Sequence, residues 1–285
     1  MRIANRTAAR AGVATVAAGV LAAGAFTLVS SAGASPSSTA GAQTMGMHAA
    51  AGHVSYGFRT LDDSADPTFN QLLGINDNGL IAGYFGSGAQ GHPNMGYLLN
   101  GSTYQGENFP GSVQTQVTAL NNDGVTVGFY SGMNTANMMN DNSGFYATGN
   151  GGFHTADFPA GDPASPPVDQ LLGVNDNDVA VGFYADAKGN DHGYEYNITS
   201  HGYSRVLDPA DPGASLTAAA INDHGDVAGF YTNAKGKTDA FLKTAGGQFT
   251  SLAYPGASAT NAFGVNGCRC LPPLYGYSPC EILGR

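Results

Sequence analysis

The sequence predicts an all-β protein: a β-propeller of five four-stranded blades, with the closing blade built from both ends of the chain. Three observations predict it. The phrase GINDNGLIAGYF (74–85) returns as ALNNDGVTVGFY (119–130), GVNDNDVAVGFY (173–184) and AINDHGDVAGFY (220–231). Its Asn falls at Asn76, Asn121, Asn175 and Asn222, with a partial fifth copy at Asn266, in steps of 45, 54, 47 and 44 residues. A period near 45 is that of one propeller blade. The chain has 42 glycines, no Trp, and Glu only at Glu107, Glu195 and Glu281. Long amphipathic helices lack their usual residues in such a chain, and short strands joined by tight turns remain.

Each repeat parses into four strands. The first ends in Leu72-Leu73-Gly74-Ile75, Thr118-Ala119-Leu120, Leu171-Leu172-Gly173-Val174 or Ala219-Ala220-Ile221. An Asn-Asp-x-Gly turn follows. The second strand is 80–85, 125–130, 179–184 or 227–231, apolar without clean alternation, as expected of a strand covered on both faces. Each copy keeps a glycine there, Gly83, Gly128, Gly182 or Gly229, which implies close backbone approach or a bulge. The third strand carries Gly96-Tyr97, Gly144-Phe145, Gly193-Tyr194 or Ala240-Phe241. A Gly-rich hairpin turn leads to the fourth, starting at Tyr104, Phe153, Tyr203 or Phe249. Six residues on stands Pro110, Pro159, Pro209 or Pro255, which fits an outer edge strand or its exit, where an N–H can be spared.

The ends complement each other. Residues 56–63 resemble a fourth strand without its first three, and Asn261–Asn266 resembles a first strand. Five blades need roughly 225 residues, and 54–285 supplies 232. The repeats read as about 70–111, 117–160, 170–213 and 217–257, with the partial fifth from 54–66 and 261–267. An open or differently closed all-β array is the other reading. After Asn266-Gly267 the repeat breaks into CRCLPPLYGYSPCEILGR. Pro272-Pro273 cannot sit in a central strand, so 268–285 is expected to be a diverged tail, either a shifted reading frame or a cap.

The pattern G-[IV]-N-[DN]-x-G-x-[IVL]-x-G-[FY]-[FY], followed by a small–aromatic pair, resembles the secreted bacterial HAF repeat family, named for a His-Ala-Phe tripeptide. The tripeptide position here reads Asn94-Met95-Gly96-Tyr97, Asn142-Ser143-Gly144-Phe145, His192-Gly193-Tyr194 and Asp239-Ala240-Phe241, so only the third copy keeps the His. The resemblance covers about 54–266. It implies an extracellular repeat protein and brings no catalytic residue or ligand with it.

Arg2, Arg6 and Arg10, the apolar run 11–29 and Ala32-Gly33-Ala34 have the order of a secretory signal peptide over 1–34. An uncleaved membrane anchor is the alternative, although Gly and Ala make the run weakly hydrophobic. Residues 35–53 read as a flexible linker before the repeat domain, 54–267. The expected location is extracellular, with no membrane attachment after cleavage. Without the three arginines the chain holds 8 basic and 21 acidic residues. That balance argues against nucleic acid or an anionic membrane as partner and favours a soluble monomer. Cys268, Cys270 and Cys280 crowd into the last 18 residues, which is neither a disulfide framework nor a zinc spacing. One tail bridge or an intermolecular link stays open.

Asn76, Asp77, Asp123, Asp176 and Asp223 could offer hard oxygen ligands to calcium. Their adjacency and the absence of a closing Glu depart from a calcium loop. The persistent Asn first and Gly fourth instead suit a turn, with Asp178 in the Gly column of the third copy. The histidines share no repeat column, and His154, His192, His201 and His224 sit in different strands or turns. No nucleophile elbow is present. Paired carboxylates of a glycosidase would project from inner strands, where only Asp169 stands, at an entrance. No metal and no cofactor is therefore expected.

In a propeller the 2→3 loops and 4→1 connections share one face. Here they hold the longest insertions, 131–143 and 160–169, and Asp62, Asp63, Asp66, Asp141, Asp162, Asp186, Asp191, Asp208 and Asp211. Binding residues favour loops on a rigid scaffold, so this is the candidate ligand face. Met133, Met138 and Met139 could add an adaptable patch. The alternative is a merely solvated acidic surface. The sequence thus reads as a non-enzymatic extracellular binding module for a glycan or protein. Two alternatives stand beside it: a carbohydrate-active hydrolase, and a structural or degenerate repeat protein without ligand.

Overall fold

A computed structural model describes residues 59–66, 68–89, 91–132, 141–149 and 152–267. The signal peptide, the linker, Met133, Met138, Met139 and the cysteine tail lie outside them. The described chain is all β, in four antiparallel four-stranded sheets. Blade 1 holds β1 (Asn70–Ile75), β2 (Leu80–Phe85), β3 (Met95–Asn100) and β4 (Thr103–Gly106). Blade 2 holds β5 (Gln114–Leu120), β6 (Thr126–Ser131), β7 (Ser143–Thr148) and β8 (Gly152–Thr155). Blade 3 holds β9 (Asp169–Val174), β10 (Val179–Ala185), β11 (Asp191–Asn197) and β12 (Gly202–Arg205). Blade 4 holds β13 (Leu216–Ile221), β14 (Val227–Thr232), β15 (Thr238–Lys243) and β16 (Phe249–Leu252). The four prolines fall in the exits after the outer strands, where no ladder N–H is needed.

Successive inner strands touch one another, and β2, β6 and β10 each pack on the inner strand of the following blade. The core is therefore not one layer but a set of crevices between blades. Ala82, Val117 and Phe145 fill the first, Val127, Leu171 and Tyr194 the second, and Val181, Leu216 and Phe241 the third. This radial stacking is that of a β-propeller.

The repeated glycine has a steric cause. A Cβ on Gly83, Gly128, Gly182 or Gly229 would stand 2.1, 2.0, 1.9 or 2.0 Å from the carbonyl oxygen of Gln71, Gln116, Gln170 or Thr217. Each inner strand carries a bulge next to this contact, between Leu72 and Gly74, Val117 and Ala119, Leu171 and Gly173, or Ala218 and Ala220. Both features that the glycine suggested are thus present together.

The Asn of each phrase builds the turn and joins the blades. Asn121 Oδ1 accepts the N–H groups of Asp123 and Val125 at 3.1 and 2.9 Å. Its amide donates to the Asn175 carbonyl of the next blade, 3.1 Å away. The same clasp runs from Asn76 to Asn121 (3.1 Å), from Asn175 to Asn222 (2.9 Å) and from Asn222 to Asn266 (2.9 Å). Gly79, Gly124 and Gly225 take φ of 75 to 80°, and Asp178 takes the same left-handed region at 56°.

The fifth copy keeps its place without its ladder. Thr260 N–H donates to the Thr238 carbonyl, as Thr115 does to Asn94 and Asp169 to Asn142. Tyr254 N–H donates to Thr260 Oγ1, as Phe109 does to Thr115 Oγ1 and Phe158 to Asp169 Oδ2. Residues 260–266 therefore occupy an inner-strand position but carry no strand. At the other end, 59–66 also carries no strand. There Asp63 Oδ1 accepts Ala65 N–H and Asp66 Oδ1 accepts Thr68 N–H, so the side chains close local turns instead.

Candidate functional site

The contacts place the 2→3 loops and 4→1 connections on one face. Ala187 N–H donates to Asp162 O and Ala164 N–H to Ala185 O, both at 2.9 Å, and His92 meets Asp66. The opposite face carries the 1→2 turns. Its polar side chains are spent on the stack: Asp77 N–H donates to Asn122 Oδ1, Asn122 N–H to Asp176 Oδ1, and Asp176 N–H to Asp223 Oδ1, at 2.8 to 2.9 Å. Asp123 lies one position further along the same turn, exposed. No group of three or more His, Cys, Asp or Glu among the described residues has a metal-holding arrangement.

Two His–carboxylate pairs stand on the loop face. His92 Nδ1 lies 2.7 Å from Asp66 Oδ2. The hydrogen bonds of Thr68 and His92 hold the Asp66 carboxyl below the ordinary range. In the second pair, His192 Nε2 lies 3.0 Å from Asp186 Oδ2, and Arg205 Nη2 lies 2.7 Å from His192 Nδ1. A guanidinium can only donate, so Nδ1 accepts and Nε2 carries the proton toward Asp186. Burial alone would raise Asp186. The N–H groups of Asn190 and Lys188, the Asn190 amide and His192 outweigh it and hold the carboxyl well below the usual range. Loop 186–190 is thus a rigid turn presenting an oriented His–Arg pair, and Arg205 is exposed.

Among the buried carboxyls of this half, Asp169 and Asp191 are raised rather than lowered. Asp169 accepts Tyr194 O–H and, at 2.8 Å, Phe158 N–H. Burial pushes it up to about 8, so it carries a proton at neutral pH. It occupies the register of Thr115, whose hydroxyl does the same work for Phe109. Its role is to fasten a 4→1 connection to the next inner strand. Asp191 accepts Thr217 Oγ1–H at 2.8 Å and is pushed up to about 7 by burial. Its Oδ1 has no partner among the described residues.

The remaining expected face residues divide. Asp62 and Asp162 are exposed, and Asp141 is half-buried. Asp63 and Asp208 cap local turns through Ala65 and Ala210 N–H. Asp211 is exposed beside Asp208. The six aspartates expected to bind are spread over five separate stretches of chain, with only Asp62 and Asp63 adjacent. The Asp186–His192–Arg205 set was hidden by the scatter of histidines across repeat columns. Its signal was Asp-x₅-His straddling a 2→3 hairpin. A groove of about 550 Å³ lined by Leu80, Leu98, Asn100, Thr103 and Gln105 lies at the opposite, 1→2 end of blade 1. It is not part of this face and carries no titratable group.

No family model matches the chain, and no curated protein matches it. Among solved structures it is similar to TolB from Acinetobacter baumannii, with 14% identity and a TM-score of 0.48 over 68% of this chain and 45% of that one. It is also similar to the Aleuria aurantia lectin, a six-bladed β-propeller with a described fucose recognition mode, with 12% identity and a TM-score of 0.41 over 61% and 56%. Catalytically inactive virginiamycin B lyase from Staphylococcus aureus matches at 13% identity and a TM-score of 0.36 over 70% and 74%. The chain spans about half the length of the first two.

Proposed function

We propose that the chain is a secreted, monomeric, non-enzymatic binding module that takes a glycan or protein ligand on the face of its 2→3 loops and 4→1 connections. The contrast between the two faces carries this reading. Most polar side chains of the 1→2 turns hold blades together, whereas Arg205 and Asp162 stand exposed on the loop face. Donors and acceptors fixed on a rigid frame suit recognition of hydroxyl-rich or charged groups. Secretion rests on the order of charges and apolar residues in 1–34.

The test is retention of the mature chain, 35–285, on a panel of cell-wall and plant polysaccharides and on immobilised extracellular proteins. Specific retention is expected, weakened at least about fivefold by Arg205→Ala with Asp162→Asn and unaffected by EDTA. Retention indifferent to both substitutions, or absent throughout, would sink the proposal. Loss with EDTA would restore calcium at the Asn76-Asp77 turns.

A further inference from the structure

Arg205 ends the outer strand of blade 3, opposite Tyr194 in the register. The same register holds Gly106 opposite Tyr97, Thr155 opposite Phe145 and Ser251 opposite Phe241 in the other blades. In blade 2 the short Thr155 meets Tyr130 through a 2.9 Å hydrogen bond. Glycine, threonine or serine thus completes a blade, and the fold asks for no guanidinium at this place. Of the 21 Asp and Glu residues all but Glu281 are described, and none of those forms an ion pair with Arg205. Its acceptor is the imidazole of His192, 2.7 Å away. The other ring nitrogen is held by Asp186 at 3.0 Å, and the ring stacks on Tyr184 at 5.0 Å and 30°. A neutral imidazole orients the guanidinium without cancelling its charge, and the bond takes one of five N–H donors.

Asp162 is brought to the same corner. Its carbonyl accepts Ala187 N–H at 2.9 Å, and Pro163 bridges to Asp186. The connection that carries Asp162 is therefore fastened to the turn that holds His192. Burial raises the Tyr184 hydroxyl, and Arg205 and Asp162 both act on it through space, in opposite senses. Both side chains are exposed. An oriented guanidinium fork takes a carboxylate through two parallel bonds. A carboxylate beside it accepts an O–H and repels a second anion. The two demands meet in a sugar that carries one carboxyl among hydroxyls. A run of acidic side chains would set a further anion against Asp162 and bring no hydroxyl.

We infer that the Arg205–Asp162 corner of the loop face binds a uronic acid unit of a glycan, with the sugar carboxylate on the Arg205 guanidinium and a ring hydroxyl donating to Asp162. The inference names the ligand class of the loop face proposed above and rests on that reading.

The experiment measures the affinity of the full chain for glucuronoxylan and for the same polymer with its carboxyls reduced to alcohols. The native polymer should bind about tenfold more tightly than the reduced one. Arg205→Ala should remove that preference. Arg205→Lys keeps the charge but not the fork, and should recover only part of it. The comparison of the two polymers on the parent chain needs no variant, so it stands whatever a substitution does to folding. Equal affinity for both polymers, lost from both in Arg205→Ala, overturns the inference and leaves the loop-face reading standing. Poly-glutamate bound through Arg205 as tightly as glucuronoxylan also overturns it, because the partner is then an acidic polypeptide. A preference for the native polymer that survives Arg205→Ala places the carboxylate elsewhere and overturns it too. Binding of neither polymer overturns it as well, and the loop-face reading then stands only if another glycan or protein is retained in the manner described above.

Discussion

Leu171 and Leu72 hold the same register in two blades, each opposite the repeated glycine of its second strand. Leu171 lies between blades 2 and 3 and is 0% exposed, whereas Leu72 opens the stack and is 44% exposed. The backbone bulge, the clasp asparagine and the tight carbonyl contact are the same in both blades. What differs is the sheet before it: blade 2 precedes Leu171, and no described sheet precedes Leu72. A propeller blade thus folds its ladder from local instructions but buries its apolar residues by courtesy of a neighbour.

The largest way to break this pattern is to attack the shared contact inside a buried crevice. Gly182→Val sets a side chain 1.9 Å from the Gln170 oxygen. It should cost about 3 kcal/mol or more, enough to abolish cooperative unfolding of blade 3. A normal urea transition would show that the inner strand can retreat. Next comes the pair itself. Leu171→Ala should cost about 3 kcal/mol and Leu72→Ala about 1 kcal/mol or less, because truncation leaves a cavity only where the site is closed. Equal costs in denaturant melts would mean that Leu72 is covered in solution.

A smaller effect concerns Asp169, which fastens the connection between blades 2 and 3. Its carboxyl is raised from 3.8 to about 8, chiefly by burial. Between those values the folded protein keeps a proton that the unfolded chain releases, so stability is fullest at low pH and falls as pH rises through this window. Asp169→Asn keeps an acceptor for Phe158 N–H and removes the titration. The midpoint temperature of the parent should therefore drop more between pH 5 and pH 8 than that of the variant. Asp191, raised to about 7 by burial, leaves some slope in both. Asp66 and Asp186 are held low and act only at more acid pH. Identical slopes would remove Asp169 from the account.

The repeat made the ladder legible in advance, because glycine against a carbonyl and asparagine at a turn are local steric facts recurring four times. The exits of the outer strands were equally readable from proline. The Asp169 hub was not, since a lone Asp in a column shared with Thr115 looks like a surface variant until Tyr194 and Phe158 are brought to it across a crevice. The Asp186–His192–Arg205 set was missed for a related reason: the side chains come from a loop and two strands. Residues 56–63 and 261–266 read as strands, yet 59–63 and 261–266 carry none, while Thr260 keeps the inner-strand bond to Thr238. A strand exists only with its ladder, and neither 59–63 nor 260–266 carries one.

Amide hydrogen exchange tests the central contrast most directly, read for Asp169–Val174 and Asn261–Val265 in one experiment. The two segments hold equivalent inner-strand positions in their repeats. Strong protection is expected across Asp169–Val174 and fast exchange at Asn261–Val265, which carry no strand. Comparable protection in both would show that a strand already covers the last inner edge, and would contradict the picture of two unlike ends.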